Sequence, residues 1–342
     1  MMGTVGNSGK MTRFKTDPFY LYPIKEEMLD RLFIDREEEI AIASGLLKMK
    51  FADATEICAI LGGIGVGKSS FLHYIAQFGK GMGYDVKFYA APSDFSSDKD
   101  SFEGDKLMVL IDDVAKLGDN DACDIYSTLE KQPEKKDCTV FFTDTYDRNR
   151  DAAKQRSFTV SHSISLPRGM NRDKLRYFLE ERMRRCLSPG ERYVFPFSDE
   201  AIEMAATRSN GNLRSFLNYA KNGWMIATGN KSKSVGEGEM KSGMIIIDRA
   251  MLGHCDLIDM KILWHSTVGD INKSYLAHQC GIDTKTLDSR ISDKLSELVF
   301  QKKAGKDMMV TSVYRYVRNG QDILEKTMDG LGISLIDVAG KE

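Results

Sequence analysis

The run Glu56-Ile57-Cys58-Ala59-Ile60-Leu61-Gly62-Gly63-Ile64-Gly65-Val66-Gly67-Lys68-Ser69 decides how this chain is read. Its first six residues form a largely apolar, strand-like run. The last eight spell G-x-x-x-x-G-K-S, the pattern of a phosphate-binding loop. Glycines let backbone N–H groups curl around an anion without Cβ clashes. Lys68 brings a point charge to the β- and γ-phosphates, and the Ser69 hydroxyl offers a ligand to Mg²⁺. A helix-like segment over 70–78 follows and points its positive end at the same place. Gly62, Gly63, Ile64, Gly65, Val66, Gly67, Lys68, Ser69 and Ser70 are therefore the expected nucleotide-binding residues. The expected cofactors are ATP or ADP and Mg²⁺.

Working outward, strand-like segments at 57–61, 86–90, 107–111, 139–142 and 160–166 alternate with helix-like ones, as in an α/β parallel sheet. The third of these ends in Asp112-Asp113, about 45 residues beyond the loop. Asp112 at a buried strand end suits the Mg²⁺ shell, because Mg²⁺ takes oxygen ligands and keeps several waters. Asp113 stands where a Glu usually positions the attacking water. Its shorter side chain leaves the carboxylate about 1 Å too far back, which predicts slow hydrolysis. The fourth strand runs into Thr143-Asp144-Thr145. Thr143 is the expected γ-phosphate contact, with a turn residue capping the strand as the alternative.

Composition sets the frame. The chain has 342 residues, 42% hydrophobic and 29% charged, with a net charge of −2. That fits a multi-domain globular protein with no global field for nucleic acid, so any basic surface is local. The six cysteines are scattered without a C-x-x-C pair, which speaks against a zinc site or disulfide framework and for a reducing cytoplasm. No apolar run reaches the ~18 residues of a membrane span. Residues 1–15 carry no apolar core of a signal peptide and read as disordered.

Four features together give a resemblance. The loop, the Asp112-Asp113 strand end, Thr143, and Gly211-Asn212-Leu213-Arg214 on a later helix resemble an AAA+ ATPase. Gly-Asn-x-Arg is similar to the second sensor of the origin-recognition clade of initiators, of archaeal kind. Phe33-Ile34-Asp35-Arg36-Glu37 resembles that clade's hydrophobic-Arg-Glu segment over the adenine. The resemblance implies an α/β P-loop base domain, an all-α lid and a C-terminal winged-helix domain over 17–318. It implies that Arg214 reads the γ-phosphate from the lid, that Arg36 lies at the nucleotide base, and that the protein is a homo-oligomer. A neighbour's arginine would complete the site; Arg148, Arg150 and Arg156 are the candidates, with Arg156 preferred. In one respect the chain departs from the clade. Only about 16 residues (91–106) separate the second and third strands, too few for the helices with which such initiators touch DNA.

The last third reads as helix (256–266), helix-turn-helix (272–279 and 284–298, with Asp283 as N-cap), then a hairpin with its turn at 304–307. Over 284–318 eight basic residues face four acidic ones, a local +4. Lys285, Arg290, Lys302, Lys303, Lys306 and Arg315 are thus expected to contact duplex DNA phosphates, the alternative being protein contacts. No base-reading cluster is present. A second basic cluster over 168–185 reads as an ion-paired helix face. The expected organisation is a disordered tail (1–16), base (17–168), lid (169–230), linker (231–246), winged helix (247–320) and tail (321–342). The expected function is a slowly hydrolysing, ATP-binding, DNA-associated initiator-like protein. Its rivals are a nucleotide-dependent ring- or filament-forming scaffold and a signalling ATPase whose winged helix is no DNA reader.

Overall fold

The computed structural model describes residues 3–5, 11–48, 56–91, 93–94, 106–114, 138–145, 160–166, 169–296 and 298–339. Strands β1 (Gly3–Val5) and β2 (Met11–Arg13) form a short antiparallel pair. Helices α1 (Leu29–Leu32) and α2 (Glu37–Lys48) then lead to β3 (Glu56–Leu61). After β3 come α3 (Lys68–Gly81), β4 (Asp85–Tyr89), β5 (Leu107–Ile111), β6 (Cys138–Asp144) and β7 (His162–Ser165). The five strands from β3 to β7 make one parallel sheet in the order β4-β5-β6-β3-β7. Strands β5 and β6 are buried along their whole length, as a parallel sheet covered on both faces requires. Cys58, Ile60, Met108, Leu110 and Phe141 face Phe71, Leu72 and Ile75 of α3, and the alternate residues form a second apolar layer. The loop after β3 therefore opens at the carboxyl end of the sheet, where ligands of such sheets bind.

Four helices follow: α4 (Arg172–Arg185), α5 (Asp199–Ser209), α6 (Leu213–Gly229) and α7 (Glu237–Leu252). The expected linker at 231–246 is thus half helix. One of its glycines, Gly243, is a packing device. A Cβ on Gly243 would lie 2.6 Å from the backbone nitrogen of Gly223, so α6 and α7 meet backbone to backbone there. Gly236 opens α7, with Glu239 accepting from its N–H at 3.0 Å and from the Ser232 hydroxyl at 2.8 Å. The expected tail also has structure. Phe14 is buried and meets Trp224 edge-on at 6.1 Å. The following segment packs on the helices as well as on the sheet: buried Arg182 donates to the carbonyls of Leu32 (2.9 Å) and Tyr20 (3.2 Å). Phe14, Phe19, Ile24, Leu29, Leu32 and Ile34 therefore belong to the core of the helical layer.

The chain continues with α8 (Leu257–His265), β8 (Ile271–Asn272), α9 (Lys273–Gln279), α10 (Thr284–Asp293), β9 (Val299–Ala304) and β10 (Asp307–Ser312). Here β10 is central in an antiparallel sheet β8-β10-β9. Asp283 caps α10 as expected, accepting from the N–H groups of Lys285 and Thr286, both at 2.8 Å. Helix α10 stops at Asp293, short of the expected 298. The hairpin turn spans 304–307: Ala304 pairs with Asp307, leaving Gly305, at φ +63°, and Lys306 between them. Helices α11 (Gly320–Gly330) and α12 (Leu335–Ala339) pack back on α7 and α8, giving the expected tail two helices.

The helical layer and this C-terminal unit share one hydrophobic core. Inside it sits a buried polar cluster. Arg208 of α5 donates to Asp248 of α7 at 2.6 Å. The hydroxyls of Tyr314 and Tyr219 donate to the same carboxylate at 2.6 and 3.2 Å. Burial pulls the Arg208 pKa down, but Asp248, Tyr314 and Tyr219 more than reverse that and raise it well above the ordinary guanidinium value.

Candidate functional site

The phosphate loop is built by two left-handed glycines, Gly65 (φ +79°) and Gly67 (φ +100°), the second of which opens α3. Lys68, the first helical residue, turns back over the loop. Its ammonium donates to the carbonyls of Gly62 (3.0 Å) and Gly63 (2.9 Å). Burial lowers the lysine pKa; the carboxylates of Asp113, Asp112 and Asp144 oppose that shift, while Arg214 adds to it. One lysine, three acids and a lid arginine thus converge at this sheet end.

The acids are held from β5 and β6. Thr143 is fully buried, and its hydroxyl is spent between them: it donates to Asp112 Oδ1 at 2.6 Å and accepts from the Asp113 N–H at 2.7 Å. Its hydroxyl fixes the turn that aims the two carboxylates. Asp113 sits in the left-handed region at φ 58°, where Asp and Asn are tolerated far better than longer side chains. That backbone accounts for Asp in place of Glu. The residue sequence reasoning missed is Asp144. It pairs in register with Leu61, its carbonyl accepts from the Gly62 N–H at 3.2 Å, and its buried side chain caps Thr145. Thr-Asp-Thr offered three polar candidates, and only the strand order β5-β6-β3 tells which side chain faces which neighbour.

Other expected residues are engaged in shaping the loop. Arg36, buried, donates to the Val66 carbonyl at 2.9 Å and to Glu39 at 3.2 Å, so its guanidinium braces the loop and is not offered to a nucleotide base. The Ser70 hydroxyl accepts from the Ile24 N–H at 3.1 Å and so anchors the N-terminal segment across α3. Ile64 is exposed at the loop tip, and Val66 is buried beneath it. From the lid, Asn212 donates to the Ile64 carbonyl at 2.6 Å, and Arg214 lies exposed one step beyond in the first turn of α6. Arg148, Arg150 and Arg156 lie outside the described residues.

The expected DNA residues divide in two. Arg290 is tied into the unit itself, donating to Asp256 (2.8 Å) and to buried Asp259 (2.7 Å), which Lys294 also engages at 3.1 Å. Lys302 and Arg315 share Asp270 at 2.5 and 2.7 Å. Lys285, Lys303 and Lys306 are exposed and make no ion pair among the described residues. In the other basic cluster Arg172, Arg176, Arg184 and Arg185 are ion-paired as expected, whereas Arg182 is buried against backbone carbonyls.

Comparison with known proteins bears on the fold. No family model matches the sequence, and no curated protein matches it either. Among solved structures, Aeropyrum pernix ORC2, described in ADPNP and ADP complexes, superposes with a TM-score of 0.56 at 13% identity, covering 93% of this chain and 98% of that one. The Thermotoga maritima RuvB Holliday junction branch migration motor gives 0.52 at 18% identity, over 92% and 99%. The fold is that of an AAA+ protein. Both likenesses run through the sheet, the helical layer and the C-terminal unit, since each spans nearly the whole chain. No helix among the described residues is long and apolar enough to cross a membrane.

Proposed function

We propose that this AAA+ chain binds ATP, hydrolyses it slowly, and uses the nucleotide-set lid angle to place its C-terminal unit, read as a winged helix, on duplex DNA. The observation carrying this reading is the convergence of Lys68, Asp112, Asp113 and Arg214 from three separate elements on one glycine-rich loop. Lys68 would exchange the Gly62 and Gly63 carbonyls for phosphate oxygens. The residues also fit Mg²⁺: Ser69 and Asp112 supply oxygen ligands, and Thr143 occupies only one oxygen of the Asp112 carboxylate. Bound Mg²⁺ would neutralise charge on the β- and γ-phosphates. Asp113 would orient the attacking water. Lys68→Ala tests the site, because it removes the main side-chain charge on the phosphates while altering a half-buried loop position. ATP affinity measured by titration calorimetry should fall about tenfold or more; equal affinity would remove the assignment.

A second reading has its own support. Arg290 and Lys294 are consumed within the C-terminal unit, which leaves its second long helix poor in available charge. That favours assembly into a nucleotide-bound scaffold over tight DNA reading. Under either reading the nucleotide site is the same.

A further inference from the structure

We propose that Asn212 is a positioning residue for the nucleotide: its side-chain amide latches the lid to the rim of the phosphate loop and so holds Arg214 over it. The proposal rests on the nucleotide reading above. Both ends of the amide are committed, which fixes its orientation. The oxygen accepts from the Ser215 N–H at 3.1 Å and caps α6; the nitrogen donates to the Ile64 carbonyl at 2.6 Å. Asparagine meets both demands at once, since a carboxylate would put an oxygen against the Ile64 carbonyl and a hydroxyl would not reach it.

Three further observations show that the contact is built. A Cβ at Gly65 would lie 2.6 Å from Asn212 Oδ1 and 3.1 Å from Arg214 Cβ, so the loop is shaped to admit the helix end. The turn bearing Asn212 is pinned from behind: Gly211, at φ +75°, would drive a Cβ to 2.7 Å from the Met170 backbone, and its carbonyl accepts from the Met170 N–H at 3.0 Å. Residues 169–170 are where the chain enters the lid from the sheet. The corner between α5 and α6 therefore touches the loop on one side and residues 169–170 on the other. Finally, the latch uses a carbonyl. A phosphate loop holds its anion with N–H groups, so nucleotide and latch do not compete for the same atoms. Arg214, two residues beyond the latch, is exposed and close enough to affect the charge of Lys68.

Asn212→Ser keeps a good cap and loses the latch; Asn212→Asp keeps the cap and opposes the carbonyl. Both should melt like the wild type without nucleotide, while ATP affinity falls about threefold to tenfold, the worth of one hydrogen bond. Arg214→Ala should weaken ATP binding in the wild type and add little in Asn212→Ser, because the arginine is already adrift. A spin-label pair spanning base and lid, read in the nucleotide-free protein, should broaden in both variants. Unchanged distance distributions, wild-type ATP affinity in Asn212→Ser, or fully additive losses with Arg214→Ala would each overturn the latch. Early melting of both variants would reduce Asn212 to a cap and overturn it too. If the wild type binds no ATP, the nucleotide reading itself fails and takes the proposal with it; the label distances would still show whether base and lid are joined there.

Discussion

Thr143 carries a buried hydroxyl with two partners, one on each of the acids it separates. Replacing it by the isosteric Val would remove the hydroxyl that accepts from the Asp113 N–H and donates to Asp112. A buried polar group stripped of its partner costs about 1–3 kcal/mol. Thr143→Val should therefore lose that much stability in chemical denaturation, together with Mg²⁺-dependent turnover. A residue that merely touched the γ-phosphate would lose turnover alone. Asp113 invites a related expectation. Asp113→Asn keeps a side chain suited to φ 58° and should retain ATP binding while abolishing hydrolysis. Asp113→Glu restores reach but places a longer side chain in the left-handed region, at a cost of about 1–2 kcal/mol, and its melting temperature should drop accordingly.

At the scale of elements, the β9–β10 hairpin carries more available positive charge than helix α10 before it. Helix α10 spends Arg290 and Lys294 on Asp256 and Asp259, binding itself to the start of α8. The turn between β9 and β10 projects Lys303 and Lys306 with no ion pair among the described residues, whereas Lys302 is paired with Asp270. If the unit meets duplex DNA, each phosphate contact releases a counterion and steepens the dependence of affinity on salt. Replacing Lys303 and Lys306 with Ala should flatten the log–log slope by about 2 units, with similar loss on unrelated duplexes. Arg290→Ala should act differently, lowering thermal stability by exposing buried Asp259 without its partner. An unchanged slope in the double variant would favour the scaffold reading. The sequence counted these positive charges correctly; which of them are spent internally depended on acids about 30 residues away.

For the whole molecule, the decisive feature is that lid and C-terminal unit share one core and one buried charge cluster. Helix α6 begins at the phosphate loop with Asn212 and carries Tyr219 to Asp248, so its first two turns, ~10 Å of helix, join the two sites. A change in lid angle would then move the C-terminal unit as a rigid body. Breaking a buried pair by removing one partner costs about 3–5 kcal/mol, so Asp248→Ala is expected to unfold lid and C-terminal unit together. Tyr314→Phe is the gentler probe. It should raise hydrogen exchange in α5, α7 and the β9–β10 hairpin together while leaving ATP affinity near the wild-type value. Loosening confined to the hairpin would show that the two parts are independent.

The sequence by itself determined the phosphate loop, the five strands of the parallel sheet and the acids at the end of β5. These are local signals: glycine spacing, unbroken apolar runs, and a charge at the point where a buried strand must surface. Tertiary structure alone decided that Thr143 serves the acids, that Asp144 sits beside the loop, that Arg36 braces Val66, and that residues 237–246 of the expected linker are helix packed at Gly223. Asn212 belongs to both. Gly-Asn-x-Arg marks the segment, but its cap on α6 and its bond to Ile64, 148 positions away, came from the structure. Arg208, Asp248 and Tyr314 likewise meet across 40 and 106 positions. Such contacts leave no periodicity in the chain, because what fixes them is the burial of a charge that must find its partner wherever the fold brings one.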